Sequence, residues 1–336
     1  MGTGLLLFLS AGAIAVLVRG AGWVVDAASV LARRLGVSEV VIGATVVSLG
    51  TTSPEAAVSV MAAWSGEPGL ALGNAVGSVI ADTGLIFGLG CLLAFVPADR
   101  FILRRQGWVQ FGSGILLAVI CYGALALRGD EAAIVRPVGV FLLALLVVYM
   151  IASVRWSRRH PLTGTLGDAL PDGERLLRIL PLGVLGLLLV LLASRLLICT
   201  VSEVAVRWGV PQVVIAATLV AIGTSLPELT VGLTSVVKGR TELLIGNVIG
   251  ADVLNILFVI GASAVAAPLR VVDPTASIPR IFLYLHLPAM ILILALFRVF
   301  IHTAVPRGRF RRWNGLPLVI FYAVYVIAQY ALSAGR

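Results

Sequence analysis

The sequence predicts an all-α polytopic membrane protein, with ten transmembrane helices laid out as two inverted five-helix repeats. Three observations predict it. The 336 residues are 60% hydrophobic and 12% charged, with mean hydropathy +1.07, whereas a soluble domain is about 25% charged. Apolar runs of about 20 residues, the length that crosses a bilayer, recur ten times along the chain. Two neighbouring runs of the first half return in the second half at a constant offset of 173 residues. The composition also excludes disorder, which needs low hydrophobicity and high charge. The 36 glycines suit helices packed closely in lipid.

In chain order the expected spans are 4–32, 38–64, 69–96, 107–127, 133–153, 179–205, 211–237, 241–267, 279–301 and 314–333. The first starts near the N-terminus, lacks a preceding basic segment and outruns the apolar core of a signal peptide, so it reads as a span and not as a cleaved leader. The second and seventh are interrupted by GTTSPE (50–55) and GTSLPE (223–228). The third and eighth carry GNAVGSVIAD (73–82) and GNVIGADVLN (246–255). All links are short except 154–178, which is polar and contains Pro161 and Pro171. It divides the chain into a first five-helix repeat (1–153), a cytoplasmic linker (154–178) and a second five-helix repeat (179–336).

Charge sets the orientation. With the N-terminus outside, the inner links hold 16 of the 25 Lys and Arg residues and the outer side holds 6, which obeys the positive-inside rule. The protein is therefore expected in the cell (inner) membrane as a multi-pass protein whose partner is the lipid bilayer. The net charge of +9 belongs to this topology and not to a nucleic-acid partner, and RGRFRRW (307–313) reads as a cytoplasmic anchor. Cys91, Cys121 and Cys199 stand singly in apolar runs and read as small buried hydrophobes. His160, His286 and His302 are scattered, so neither residue type forms a zinc pattern, and no cofactor is expected.

Residues 42–90 and 215–263 align without a gap. Pro54-Glu55 meets Pro227-Glu228, Gly73-Asn74 meets Gly246-Asn247, and Gly77 meets Gly250. Five spans separate the second from the seventh, and an odd number reverses direction, so the two copies run upside down relative to each other. Inverted repeats with broken helices near the midplane are the architecture of secondary transporters.

Each repeat carries a concentration of oxygen. A proline within a helix leaves the carbonyl four residues earlier without its bond; here these are the carbonyls of Gly50 and Gly223. A break of this kind persists at membrane depth only inside protein or beside a watery cavity. Ser48, Thr51, Thr52 and Glu55 fall on one helical stripe, as do Ala221, Thr224, Ser225 and Glu228. Carboxylates, hydroxyls and loose carbonyls suit a hard cation. The Ser-Pro-Glu stretch also reads as a helix start, with a Ser cap, Pro in the first turn and an acid near the dipole. In the second motif Ser78 and Asp82 are four apart, Ala251 and Asn255 are their counterparts, and Asp252 shares a face with Asn255. Asn74 and Asn247 read equally as interhelical hydrogen-bonding residues.

Electrostatics sharpens the expectation. Glu55, Asp82, Glu228 and Asp252 would each cost roughly 2.5–3.5 kcal/mol in a bilayer, or about 10–14 kcal/mol together, which rivals the stability of a whole fold at about 5–15 kcal/mol. Stretches 41–64, 69–96, 211–237 and 241–267 hold no Lys or Arg. Arg19 and Arg195 could answer at most two of the four acids, so bound cations, protons or water must offset the rest. An all-oxygen anionic pocket suits Ca2+ and Na+, not zinc or copper. Asp26 and Glu203 read as capping or interfacial acids.

These residues resemble the α-repeats of the cation/calcium exchanger superfamily, whose marks G-T-S-x-P-E and G-N-x-x-G-S-N-x-x-N occur twice, inverted. The resemblance covers 42–90 and 215–263 strongly. It implies an alternating-access antiporter exchanging Ca2+ for Na+ between spans 2, 3, 7 and 8. It also implies that Glu55 and Glu228 are the central ligands, and that Thr51, Thr52, Ser78, Thr224 and Ser225 line Na+ sites with the carbonyls of Ser48 and Ala221. Asp82 and Asn255 take the last polar positions. The chain departs from the family pattern at Thr52, Ser53, Val79, Ala251 and Asp252. Ala251 removes a hydroxyl and Asp252 adds a charge, which leaves Na+, H+ or K+ as the coupling ion. A cation channel would also use such a pocket. No Ser/His or metal-ligand motif supports an enzyme, and no GxxxxGK[ST] loop supports an ATP-driven pump.

Overall fold

The computed structural model describes residues 2–100, 102–159, 173–208, 221–272 and 280–334. Eight helices among the described residues are long and apolar enough to cross a membrane, and the protein is an all-α polytopic membrane protein. They are α1 (Thr3–Leu35), α4 (Pro68–Leu93), α5 (Leu103–Glu131), α6 (Arg136–Arg158), α7 (Arg178–Arg207), α10 (Thr241–Ala266), α11 (Phe282–Arg307) and α12 (Arg312–Leu332). The second expected span is not one rod. It is split into α2 (Glu39–Thr51) and α3 (Ser53–Trp64), because Pro54 has no N–H to return to the carbonyl of Gly50. Span 7 shows the same feature over its described part, α8 (Ala221–Thr224) and α9 (Leu226–Val237), with Pro227 in the first turn of α9. The earlier part of that span, 211–220, and most of the expected linker, 160–172, lie outside the described residues.

Where the helices sit follows from their sequences. In α10 the most apolar stretch is 94% buried, against 17% in α12: α10 is the central post and α12 is largely lipid-facing. Glycine brings α2 onto α10. A Cβ on Gly43 would lie 2.9 Å from the amide nitrogen of Asn247 and 2.9 Å from the carbonyl of Leu243. The larger core joins α4, α5, α6, α10, α11 and α12. A second, smaller core lies between α1 and α7, where Gly20 and Gly186 press backbone against backbone. In both central helices the winding loosens to a π turn at corresponding places, Asp82–Phe87 in α4 and Asn255–Val259 in α10.

Short backbone pairings tie the loops at the helix ends. Residues Ala133–Ile134 pair antiparallel with Leu269–Arg270, joining the α5–α6 and α10–α11 loops. Pro97 bridges Arg309, joining the α4–α5 and α11–α12 loops. Cys91 and Cys121 are buried, as their apolar surroundings require, but Cys199 is exposed on the outer side of α7, a correction to its expected burial.

Candidate cation site

The breaks in α2–α3 and α8–α9 and the π turns of α4 and α10 converge on one buried region. Glu55 and Glu228 sit in the first turns of α3 and α9, 0% and 2% exposed, and Asp82 and Asp252 are 0% exposed. Glu55 opens a half-helix with Pro54 in its first turn, and it is buried. Ser53 is not the cap, since its hydroxyl donates backwards to the carbonyl of Leu49 at 2.5 Å.

Contacts cross between the halves of the chain. The Thr52 hydroxyl donates to Oε1 of Glu228 at 3.2 Å. Ser225 donates to Ser78 at 3.4 Å. Asn255 Nδ2 donates to Oδ2 of Asp82 at 3.5 Å. Ser48 donates to the carbonyls of Gly43 at 2.7 Å and Asn247 at 2.9 Å, so its hydroxyl pins α2 to α10. The Ser48 carbonyl accepts from the Thr52 amide at 2.8 Å and from the Thr51 hydroxyl at 3.4 Å. Thr224 is half-buried in the broken segment, and Ala221 opens α8 with its carbonyl in the same segment. Asn74 donates to Ser59 at 2.9 Å and to the carbonyl of Glu55 at 3.4 Å, the interhelical role expected of it.

Among the described residues no basic side chain forms an ion pair with these four acids. Glu55 lies within electrostatic range of Glu228 and Asp82, and Asp82 within range of Asp252. The cations nearest in the chain are engaged at the rim, where Lys238 pairs with Asp26 at 2.7 Å and Arg240 with Glu39 at 3.3 Å. Arg19 stacks on Trp23, and Glu203 pairs with Arg207 at 2.8 Å. Asp26 and Glu203 are thus interfacial ion-pair members. Both oxygens of Glu55, Oδ1 of Asp82, Oε2 of Glu228, Oδ1 of Asp252 and Oδ1 of Asn255 are buried without a hydrogen-bond partner. A buried acceptor left in that state costs about 1–3 kcal/mol, and more when charged. A bound cation, a proton or water would relieve that cost, and a set made of oxygens alone is chemically suited to a hard cation such as Ca2+. No trio of His, Cys, Asp or Glu among the described residues converges as a resident metal centre does. The hydroxyls of Thr52, Ser78 and Ser225 and the amide of Asn255 stand beside these acids.

Two partners escaped the sequence reading. Thr83 and Gln110 both donate to Oδ2 of Asp252, and Gln110 also donates to Thr83 at 3.3 Å. The available signal was a glutamine in the apolar run of α5. It points to no particular partner until α5 is laid against α10.

The model of the sodium/calcium exchanger protein family matches residues 5–155 and 179–331. The putative antiporter CaxA of Alkalimonas amylolytica is 31% identical, over 95% of this chain and 96% of that protein. The sodium/calcium exchanger MaX1 of Methanosarcina acetivorans is 29% identical, over 94% of this chain and 95% of that protein. The solved sodium-calcium exchanger NCX_Mj, soaked with Na+ and Sr2+, superposes with a TM-score of 0.80 at 26% identity, covering 97% of this chain and 99% of that one.

Proposed function

The chain belongs to the sodium/calcium exchanger protein family, and from that premise we propose that it moves Ca2+ across the membrane in exchange for Na+ by alternating access. It is a cation/Ca2+ antiporter and not an enzyme; Na+ as the coupling ion is our reading. The observation that carries it is the group of buried, unpartnered oxygens on Glu55, Asp82, Glu228 and Asn255. In this reading Glu55 and Glu228 grip Ca2+, Asp82 and Asn255 complete its shell, and Thr51, Thr52, Ser78, Thr224 and Ser225 line Na+ positions with the carbonyls of Ser48 and Ala221. Asp252 stands beside this set, its other oxygen held by Thr83 and Gln110.

Exchange follows from electrostatics. Loaded, the site is near neutral and can be occluded. Empty, it is a buried anion whose enclosure costs several kcal/mol, so the site closes and turns only when one ion or the other fills it.

The ten-span, inverted-repeat architecture belongs to the same proposal, with repeats 1–153 and 179–336, a cytoplasmic linker 154–178, the N-terminus outside and an inner-membrane location. Asn255 and Asp82, 173 residues apart, meet across the site. The two loop pairings are counterparts of each other: the α4–α5 loop holds the α11–α12 loop, and the α10–α11 loop holds the α5–α6 loop. Both facts support a two-fold relation between the halves.

Proteoliposomes loaded with Na+ should take up radiolabelled Ca2+ when diluted into Na+-free buffer. Glu55→Ala and Glu228→Ala should each reduce uptake by tenfold or more, because losing a carboxylate ligand from a hard-cation site weakens binding by more than about 1.4 kcal/mol. Gradient-independent or mutation-insensitive uptake overturns the proposal. Four buried acids without a Lys or Arg also favour H+ as the coupling ion, and an imposed pH gradient in the same vesicles distinguishes it. Unitary currents in planar bilayers would identify a channel instead.

A further inference from the structure

Away from the acids, a cavity of about 340 Å3 opens where the start of α5 meets the end of α11. Its lining is of the opposite sign: Arg100, Arg104, Arg298 and His302, floored by Ile301 and Pro306. None of the three guanidiniums forms an ion pair among the described residues. Arg104 and Arg298 are close enough to repel one another. Nη1 of Arg298 is buried with no hydrogen-bond partner, and the same guanidinium lies 4.2 Å over the ring of Trp108. Gly107 makes the approach possible, since a Cβ there would lie 2.7 Å from Ile301 and 3.6 Å from that same Nη1. Like charges held together beside a buried donor without a partner cost free energy, a cost that an anion would offset.

We propose that this cavity binds a phosphate group, and that the phosphate belongs to an anionic phospholipid of the surrounding leaflet. Planar guanidiniums grip phosphate oxygens in pairs, and basic pockets between transmembrane helices on the cytoplasmic side hold anionic headgroups. The rim has the character of the headgroup layer: Trp108 is 54% exposed beside the pocket. The headgroup would bridge α5 and α11, neighbours of the two helices that carry Asp82 and Asp252.

Native mass spectrometry of the detergent-purified protein tests this, with phosphatidylglycerol, phosphatidylcholine and inorganic phosphate as probes. Phosphatidylglycerol should bind in preference to phosphatidylcholine. Each of Arg104→Gln and Arg298→Gln should weaken that binding about fivefold, and the pair about 30-fold. Arg309→Gln/Arg312→Gln, outside the pocket, should leave it unchanged, and Arg104→Lys/Arg298→Lys should restore part of it. Inorganic phosphate that displaces the lipid at millimolar concentration supports the phosphate site and assigns it to a soluble source. Equal retention of both lipids by the wild-type protein, or binding unaffected by the glutamine pair, overturns the proposal. The wild-type comparison decides the matter even where a variant does not fold.

Discussion

Glu55 keeps two buried oxygens without a partner while Glu228 has one of its own answered by Thr52. That asymmetry gives the two glutamates different surroundings despite their equivalent places in the repeat. Thr52→Val removes the donor to Oε1 of Glu228, so the variant should fold but lose about 1 kcal/mol of stability in ion-free buffer, a loss that should shrink when Ca2+ is added; melting temperature with and without Ca2+ reads it. Asp252 behaves differently. Its Oδ2 accepts from Thr83 and Gln110, and its Oδ1 has no partner. Asp252→Asn deletes a buried charge from an acid-rich region while keeping an oxygen for those two donors. It should raise stability in ion-free buffer by roughly 1–3 kcal/mol, seen as a higher melting temperature, and that gain should shrink when Ca2+ is added. A lower melting temperature without ions would refute this account of Asp252.

The broken helices carry the next scale. Pro54 and Pro227 cost their helices a backbone bond each, worth up to about 3 kcal/mol in an ordinary helix. Pro54→Ala should therefore leave the protein at least as stable while slowing exchange, because it gives the Gly50 carbonyl a donor and straightens the α2–α3 break; melting temperature and uptake rate should move apart. The close crossings are less forgiving. A side chain on Gly246 would enter the backbone of Val40, and one on Gly250 would meet Ala44 and Ser48. Gly246→Leu should thus abolish monodisperse folded protein. Gly36 ends α1 with φ 63 and has nothing within 4 Å of a built Cβ. Gly36→Ala should cost only the left-handed strain, about 1 kcal/mol, and leave exchange intact.

Over the whole molecule, topology is the prediction that ties the charge pattern to the mechanism. Single cysteines placed at Thr3 and at Thr165 should be labelled by a membrane-impermeant thiol reagent from opposite sides of intact cells, the first from outside. Labelling of both from one side would remove the inverted arrangement and with it the account of exchange through one shared site. The background for this assay is a variant lacking Cys199, the cysteine that the structure exposes.

The amino-acid sequence alone determined the membrane class, and it displayed the two similar stretches with the acids that each carries. Hydropathy, a 173-residue offset and Pro-Glu pairs are local properties, readable without knowing which helices touch. Ser78, Asp82 and Asn255 were legible for the same reason, as polar residues spaced four apart or matched across the copies. Thr83 and Gln110 were not, because a hydroxyl or an amide in an apolar run gains meaning only from the partner opposite it, and Asp252 lies 142 residues from Gln110. The basic cavity was hidden likewise: Arg100 and Arg104 counted only toward the charge of an inner link, and Arg298 lay in or at the end of a span, until Gly107 let α5 approach α11. Tertiary structure alone decided which oxygens find donors and which do not, since that depends on helix-to-helix distance. The unanswered ones lie on Glu55, Asp82, Glu228, Asp252 and Asn255, where a positive ion would lower the free energy most.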